Sequence, residues 1–301
     1  MSYRPRWAVE GRDWPLRPHS RFVTVGPMRW HVQMLGSGPP ALLLHGTGAA
    51  THSWRGLAPL LAERFTMIAP DLPGHGFTEG RPPGGHGLPA TARAVSALLA
   101  ELGVAPTLAI GHSAGSAIAI RMALDGGIAP DALVGLSPAL APFPGIARKL
   151  FPGLAKLLFV NPLMPSILSR IAGGPDEVRR FLLRATASPI DQEGVDCYAA
   201  LFATPAHCAG ALAMMAHWDL EPLERDLARL RPQVLLIHGA ADPAIPTASV
   251  RSAAARMPAA TLDVLPGLGH LAHEEGPDLI ADRILAFAAC ARSAPIVETV
   301  A

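Results

Sequence analysis

The chain has 301 residues, of which half are apolar and 16% are charged, and its formal net charge is +1. This length and composition supply enough apolar side chains for a sizeable core and exclude a chain that is disordered throughout. Because the net charge is close to zero, the sequence gives no electrostatic reason to expect a nucleic-acid partner.

Residues 1–20 are rich in Arg, Trp and Pro and show no periodicity, so we predict an irregular N-terminal arm there. The polar, basic start is not followed by an apolar segment, unlike a secretory signal, and the longer apolar stretches are broken by proline or lysine, unlike a transmembrane helix. The three cysteines lack the spacing of zinc ligands, and we expect them to be reduced thiols. We expect a soluble cytoplasmic protein, for which peripheral membrane contact stays open.

Strand-like residues on both sides of Gly26-Pro27 predict a hairpin, and short apolar segments then alternate with helical patterns. The later strands are predicted at 41–45, 66–69, 107–110, 132–136, 234–238 and 262–265. The helices are predicted at 54–63, 91–102, 114–125, 221–230, 248–257 and 277–289. Because apolar strands linked by helices form parallel sheets that are covered on both faces, we predict an α/β fold with a mostly parallel, doubly wound sheet.

This alternation stops between residues 141 and 218, where short helical patterns are separated by prolines. The patterns cover 151–160, 165–172, 175–184 and 198–201. A helical insertion after a sheet strand is a candidate lid over a pocket. We therefore predict a lid at 141–218, inserted in a core that consists of 21–140 and 219–301.

The pentapeptide Gly111-His112-Ser113-Ala114-Gly115 lies between a predicted strand and a predicted helix. A serine in G-x-S-x-G at this junction is typical of a nucleophile elbow, a turn so sharp that the residues two before and two after the serine must be small. Ser113 is therefore the predicted nucleophile. The alternative is a glycine-rich turn in which the serine has no chemical role.

A serine nucleophile needs a base and an acid that orients the base, and in a doubly wound sheet both come from loops at the carboxyl ends of strands. Asp242 follows the predicted strand 234–238, and His270 follows 262–265, so the triad order is serine, acid, histidine. The other loop that could hold the acid, residues 137–139, contains no carboxylate.

Other polar residues near these motifs have structural interpretations. We expect Asp219 to cap a helix or anchor the lid, and Asp71 and His75 to fix loops near the pocket mouth. His273 forms an H-x-x-H spacing with His270, but no further ligand is apparent, so we expect no metal.

The loop after the first parallel strand reads His45-Gly46-Thr47-Gly48. Glycine-rich backbone can bring an N–H group close to a substrate oxygen. We expect the N–H groups of Thr47 and Ala114 to form an oxyanion hole, to which the Thr47 hydroxyl can add a hydrogen bond. His45 is expected to brace the loop without transferring a proton.

The predicted lid carries bulky apolar residues, which suit packing of the lid on the core or contact with a large, flat, apolar ligand. The predicted substrate pocket consists of His45, Met164, Phe181, Met214, Met215 and Trp218. Basic and apolar residues mix at 148–151 and 156–159, which fits a solvated surface, with contact to a membrane or an anionic substrate as the alternative.

Together these motifs resemble the alpha/beta hydrolase superfamily over residues 22–289. Four segments, 43–55, 111–119, 209–220 and 267–275, resemble the hydrolase-like magnesium-chelatase accessory family of bacteriochlorophyll biosynthesis. The last two are the more distinctive, because the lid and its exit vary widely across the superfamily. This resemblance implies a place in photosynthetic pigment synthesis, around the insertion of magnesium into protoporphyrin, but no known reaction. The chain has no G-x-x-x-x-G-K-[ST] loop of the kind that an ATP-driven motor uses.

We therefore expect a serine hydrolase that acts without a cofactor on an ester or related carbonyl, through an acyl-enzyme. Its substrate is a small molecule, and the resemblance implies a tetrapyrrole. The alternative is a non-catalytic porphyrin-binding or magnesium-chelatase accessory protein on the same fold, with chelatase subunits as partners. A general detoxifying esterase or a carbon–carbon bond hydrolase is a third interpretation.

Overall fold

A computed structural model describes residues 3–142, 163–171 and 174–293. In these residues a single sheet has the strand order β1-β2-β4-β3-β5-β6-β7-β8. The strands are β1 (Ser20–Val25), β2 (Met28–Leu35), β3 (Pro40–Leu44), β4 (Thr66–Pro70), β5 (Leu108–His112), β6 (Ala132–Leu136), β7 (Gln233–Gly239) and β8 (Ala260–Leu265). β1 and β2 form an antiparallel hairpin at one edge, and all pairs from β4 to β8 are parallel. The predicted α/β fold is confirmed.

The described residues also form helices, most of which link these strands. They are α1 (Leu57–Ala62), α2 (Leu88–Glu101), α3 (Ala114–Leu124), α4 (Met164–Ile171), α5 (Pro175–Thr186), α6 (Gln192–Phe202), α7 (Pro205–Ala216), α8 (Glu221–Asp226), α9 (Thr247–Ala254), α10 (Ala272–Glu275) and α11 (Pro277–Ser293). The predicted helix at 54–63 is divided into a short 3₁₀ helix, Thr51–Trp54, and α1. The predicted helical pattern at 151–160 and the basic segments around it lie outside the described residues.

The helix α7 was not predicted from its pattern. Its sequence, PAHCAGALAMMA, is apolar around almost the whole circumference, so it lacks the alternation of apolar and polar faces that marks an amphipathic helix. Its buried residues accordingly lie on more than one side of the helix, and include His207, Leu212 and Met214.

Alternate residues of each central strand supply two separate cores. In β3, Leu42 and Leu44 belong to the core beneath α2, α3, α8 and α9, whereas Ala41 and Leu43 belong to the core beneath α1 and α11. Successive side chains of a strand point to opposite faces, and here both faces are buried. The strands are therefore held rigidly, and the loops at their carboxyl ends have fixed positions.

Helices α4 to α7 lie between β6 and α8 in the chain, in the segment predicted to be a lid. Side chains of α5 and α6, among them Leu182 and Tyr198, pack with Ala49 and Leu271 in a small apolar cluster. Because Leu271 follows His270 directly, these helices contact the segment that carries the predicted base. The lid boundaries at 141 and 218 remain a prediction.

No individual helix of the described residues has both the length and the apolar character needed to cross a membrane. The pair α6 and α7, which is bent by 88°, meets the length and composition requirement only when both helices are taken together.

Candidate active site

Ser113 lies at the sharp turn between β5 and α3, with φ 50° and ψ −115°. This is a strained conformation for a residue with a side chain. The turn also brings backbones into contact: a Cβ atom on Gly111 would lie 2.3 Å from the carbonyl carbon of Gly115, and a Cβ atom on Gly115 would lie 1.9 Å from the carbonyl oxygen of Leu44. Only glycine fits at these two positions, as the pentapeptide motif requires.

The loop at Gly46-Thr47-Gly48 lies directly beside this elbow. A Cβ atom on Gly46 would be 2.7 Å from Nδ1 of His112 and 3.2 Å from Cβ of Ser113. Ala114 is the first residue of α3, so its N–H group has no acceptor within the helix. In the part of the chain that the structure describes, neither this N–H group nor that of Thr47 donates a hydrogen bond.

His45 is fully buried behind the same loop. Its Nε2 atom accepts a hydrogen bond from the N–H group of Leu72 at 2.9 Å, so the proton is on Nδ1, which donates to the carbonyl of Gly46 at 2.8 Å. Burial lowers the pKa of His45, although the nearby charge of Asp71 opposes this effect. A neutral ring with both nitrogens occupied can hold the loop but has no free position for proton transfer.

Asp242 and His270 meet at the carboxyl ends of β7 and β8. The Nδ1–H group of His270 donates to Oδ2 of Asp242 at 2.7 Å, while Oδ1 of Asp242 accepts from the N–H groups of Ala244 and Ile245 at 2.8 and 3.0 Å. Burial alone would raise the pKa of Asp242, but the His270 ring and these N–H groups outweigh it and hold that pKa below its ordinary value. The ionised carboxylate keeps the His270 proton on Nδ1, which leaves Nε2 as an acceptor.

The backbone of His270 is attached to the elbow. Its carbonyl accepts a hydrogen bond from Nε2 of His112 at 3.0 Å, and its N–H group donates to the carbonyl of Thr186 in α5 at 2.7 Å. The rings of His112 and His270 have their centroids 4.8 Å apart. In the described residues no hydrogen bond joins the Ser113 hydroxyl to the His270 ring. Such contacts are commonly loose before a substrate is bound.

This geometry, an elbow serine beside free N–H groups and an aspartate–histidine pair, can be compared with known proteins. A model of an alpha/beta hydrolase family matches residues 41–283. The chain belongs to the alpha/beta hydrolase family. A magnesium-chelatase 30 kDa subunit of Rhodobacter capsulatus is 40% identical over 275 residues, which cover 91% of this chain and 95% of that protein.

Solved structures of the same family share the fold. The epoxide hydrolase CorEH has a TM-score of 0.76 and 25% identity, with 90% of this chain and 98% of that chain covered. The haloalkane dehalogenase DbeA of Bradyrhizobium elkani has a TM-score of 0.74 and 22% identity, with 92% and 99% covered. At 22% identity, the dehalogenase structure supports the fold of this alpha/beta hydrolase. It gives no information on the substrate of this chain.

The lid residues that we predicted for the substrate pocket differ in their contacts and exposure, and the pocket itself remains a prediction. Met214 is fully buried, and its Sδ atom accepts a hydrogen bond from the Thr47 hydroxyl at 3.3 Å, so this residue does contact the oxyanion loop. Trp218 packs against the core. Met164 is half-buried in α4, whereas Phe181 and Met215 are 56% and 48% exposed. Met214 is therefore the residue of this set that contacts the loop 46–48 beside the elbow.

Sequence reasoning missed an ionic network around Arg55, in which the side chains of Arg55 and Glu274 are buried and that of Asp191 is 60% exposed. Arg55, which follows the 3₁₀ helix after β3, forms ion pairs with Glu274 in α10 and with Asp191, the N-cap residue of α6. Glu274 also accepts hydrogen bonds from the hydroxyls of Ser53 and Tyr198 at 2.7 and 2.9 Å. Burial raises the pKa of Glu274 above its ordinary value, against the influence of the Arg55 charge. No local period marks these residues, because they come from three distant segments.

Several histidines are buried in the described structure, and each has a pKa that burial lowers. They are His45, His52, His75, His112, His207 and His273; the pKa of His207 is about 4 and that of His273 about 3. In the unfolded chain these side chains regain an ordinary pKa near 6.5. The unfolded state therefore takes up more protons than the folded state as the pH falls below that value.

We expect the free energy of unfolding to be greatest above about pH 6.5 and to fall as the pH decreases from there toward 4. Each such histidine contributes a slope of up to about 1.4 kcal/mol per pH unit. Urea denaturation at pH 8, 6 and 5 measures this dependence. His273→Gln should reduce the slope, whereas the exposed-residue control His19→Gln should not. A free energy of unfolding that stays constant or rises between pH 6.5 and 5 would contradict the prediction.

We expect Gly115→Ala to prevent folding or to destabilise the protein by about 3 kcal/mol or more, because the added Cβ atom meets the carbonyl of Leu44 and not a movable side chain. Gly87→Ala is the matched control, because its Cβ atom would lie 3.4 Å from its nearest neighbour, an ordinary contact distance. Thermal unfolding of both variants tests this. Equal melting temperatures would show that the elbow can relax, which would contradict the close approach described above.

Proposed function

We propose that this alpha/beta hydrolase is a serine hydrolase that cleaves an ester or a related carbonyl compound through an acyl-enzyme. The observation that carries this proposal is the 2.7 Å hydrogen bond between Asp242 and His270. The backbone carbonyl of His270 also accepts a hydrogen bond from His112, the residue before Ser113. Nucleophile, base and acid then come from three loops at one edge of the sheet, in the arrangement that acyl transfer uses.

In the first half of the proposed reaction, Oγ of Ser113 attacks the carbonyl carbon and its proton passes to Nε2 of His270. Asp242 stabilises the imidazolium that results. The negative charge on the substrate oxygen is bound by the N–H groups of Thr47 and Ala114, which have no other acceptor among the described residues. The tetrahedral intermediate collapses when the bond to the leaving group breaks, and the leaving alkoxide takes the proton from His270.

In the second half, a water molecule attacks the acyl-enzyme and gives a proton to Nε2 of His270. The bond between Oγ of Ser113 and the acyl carbon then breaks, and His270 returns the proton to the serine. The products are a carboxylic acid and an alcohol, and the protein regains its starting state. Each step uses the same two N–H groups, since negative charge develops on the same oxygen both times.

For the substrate, we infer an ester carried by a tetrapyrrole, such as a porphyrin propionate ester, in bacteriochlorophyll biosynthesis near the step that inserts magnesium. Two observations support this inference. The relative that is named as a magnesium-chelatase subunit is 40% identical over nearly the whole of both chains. The lid also supplies apolar side chains, of which Met214 contacts the oxyanion loop.

A fluorophosphonate probe tests the serine chemistry, because it phosphonylates only an activated serine. We expect stoichiometric labelling of the wild-type protein and none of Ser113→Ala. The labelling rate of Asp242→Asn should be lower by about a thousandfold or more, because the amide no longer fixes the His270 tautomer. Mass spectrometry of the intact protein gives both the extent and the rate of labelling.

Ser252→Ala is the matched control, because Ser252 is an exposed serine on α9 far along the chain from the elbow. It should label at the wild-type rate. If the folded wild-type protein does not react, or if Ser113→Ala still reacts, the proposal of covalent catalysis is wrong. Circular dichroism confirms that each variant is folded before its labelling is compared.

The second candidate function is a magnesium-chelatase accessory protein that binds a porphyrin or chelatase subunits without using its serine. The Rhodobacter capsulatus relative, a magnesium-chelatase 30 kDa subunit, favours it. The two candidate functions predict different behaviour of Ser113→Ala. If the protein is a serine hydrolase, this variant should lose hydrolysis of a porphyrin propionate methyl ester. If it is an accessory protein, the variant should bind the porphyrin and promote magnesium insertion by the chelatase as well as the wild-type protein does.

A further inference from the structure

A cavity of about 930 Å³ lies between α7, the N-terminal arm and the loop after β4. Three segments line it: residues 3–6 of the N-terminal arm, residues from 74–81 after β4 together with His86, and one face of α7. Ser113, Asp242 and His270 are not among the lining residues. The volume is typical of a small-molecule site, so this cavity is a separate place where a ligand can bind.

One wall of the cavity is formed by α7. Except for His207, the residues of α7 that line it have small side chains and recur along one helical face: Ala206, Ala209, Gly210, Ala213 and Ala216. Gly210 touches the turn at Gly74 so closely that a Cβ atom there would lie 1.9 Å from the Gly74 carbonyl oxygen. The alanines on both sides of this contact offer a small, apolar surface that suits the face of a planar molecule.

The rim of the cavity is cationic. Arg4, Arg6 and Arg81 line it together with His86, while Glu79, the one carboxylate among the described lining residues, is already paired with Arg29 at 3.1 Å. Neither Arg4 nor Arg81 forms an ion pair with a described residue. Guanidinium groups bind carboxylates through paired hydrogen bonds, so these two are suited to an anionic ligand.

Two imidazoles add to this rim. His217, at the end of α7, donates from Nδ1 to the carbonyl of Ala213 at 2.8 Å, so its Nε2 atom is left over as a polar group at the cavity. The pKa of His86 is lowered by burial first, and then by the charges of Arg81 and His217. Arg81, His86 and His217 all line the same cavity.

The walls are held in place by hydrogen bonds between segments. The N–H group of Ala206, near the start of α7, donates to the carbonyl of Tyr3 in the arm at 3.1 Å. His207 accepts a hydrogen bond at Nδ1 from the N–H group of Gly76 at 3.1 Å and donates from Nε2 to the carbonyl of Gly48 at 3.0 Å. The arm, the loop after β4 and α7 thus form one preformed site, which saves the entropy of ordering it on binding.

We propose that this cavity binds a planar, apolar molecule that carries at least one carboxylate. The ring face of the ligand lies on the alanines of α7, and its carboxylate is bound by Arg4 and Arg81. This proposal does not depend on the serine chemistry, because no residue of the proposed triad lines the cavity. The tetrapyrroles considered above belong to the same chemical class.

The test uses two pyrene probes that differ only in charge, 1-pyrenebutyrate and the neutral 1-pyrenebutanol, titrated into the full-length Ser113→Ala protein so that no chemistry interferes. Fluorescence anisotropy gives each Kd. We expect the butyrate to bind at least about tenfold more tightly than the butanol, as the loss of charge-assisted hydrogen bonds implies. The double variant Arg4→Gln, Arg81→Gln should remove this difference and leave butanol binding unchanged.

A second pair of variants separates the cavity from other surfaces. Ala213→Leu extends a side chain over the α7 wall of the cavity and should weaken both probes about tenfold or more, whereas Ala211→Leu, on the same helix but not lining the cavity, should not. Arg251→Gln, an exposed arginine on α9, is the charge control. All of these variants should melt within a few degrees of the parent protein.

Three results would overturn the proposal: equal binding of the two probes, butyrate binding that survives the double arginine variant, or binding that Ala213→Leu leaves intact. A failure of fluorophosphonate labelling in the wild-type protein, in contrast, would affect only the proposed hydrolase activity. Wild-type protein that has been labelled on Ser113 should still bind 1-pyrenebutyrate with unchanged Kd, since the label and the probe occupy different places.

Discussion

The structure of this site depends on the close approach of three backbone segments at Ser113. The left-handed φ of the serine costs about 1–3 kcal/mol, and surrounding structure must supply it. Here the N–H group of Ser113 donates to Leu136 in β6, and its carbonyl accepts from Ala139 and Ser116. Since Gly115 leaves room for the Leu44 carbonyl, β3, β5 and α3 can all meet at one point. The loop 46–48 and the backbone of His270 both contact His112, the residue before Ser113.

Much of this arrangement was predictable because the decisive signals are local. A tight turn needs glycine at Gly111 and Gly115, and such a requirement can be recognised in five consecutive residues. Asp242 and His270 could be chosen because a parallel sheet brings the carboxyl ends of its strands to one edge, so a polar residue just after each strand is a candidate. Their mutual hydrogen bond then follows from topology, which the alternation of apolar segments had already indicated.

Other parts depend on contacts between distant segments and have no local signature. Arg55, Asp191 and Glu274 are ordinary charged residues in the sequence, and only the folded chain shows that they form one network. The helix α7 carried no periodic signal because it is buried on one side and lines a cavity with small residues on another. Composition also does not predict exposure: Phe181 and Met215 are bulky and apolar, yet about half of each is exposed.

The Arg55 network connects the helices inserted after β6 with the segment that follows His270. Asp191 starts the lid helix α6, while Glu274 lies in α10, four residues beyond His270. A displacement of α6 would take Asp191 away from Arg55 and the Tyr198 hydroxyl away from Glu274, while the ion pair between Arg55 and Glu274 would remain. The segment that carries His270 and the helices inserted after β6 therefore share part of their support, so a substitution that loosens α6 also removes contacts from α10.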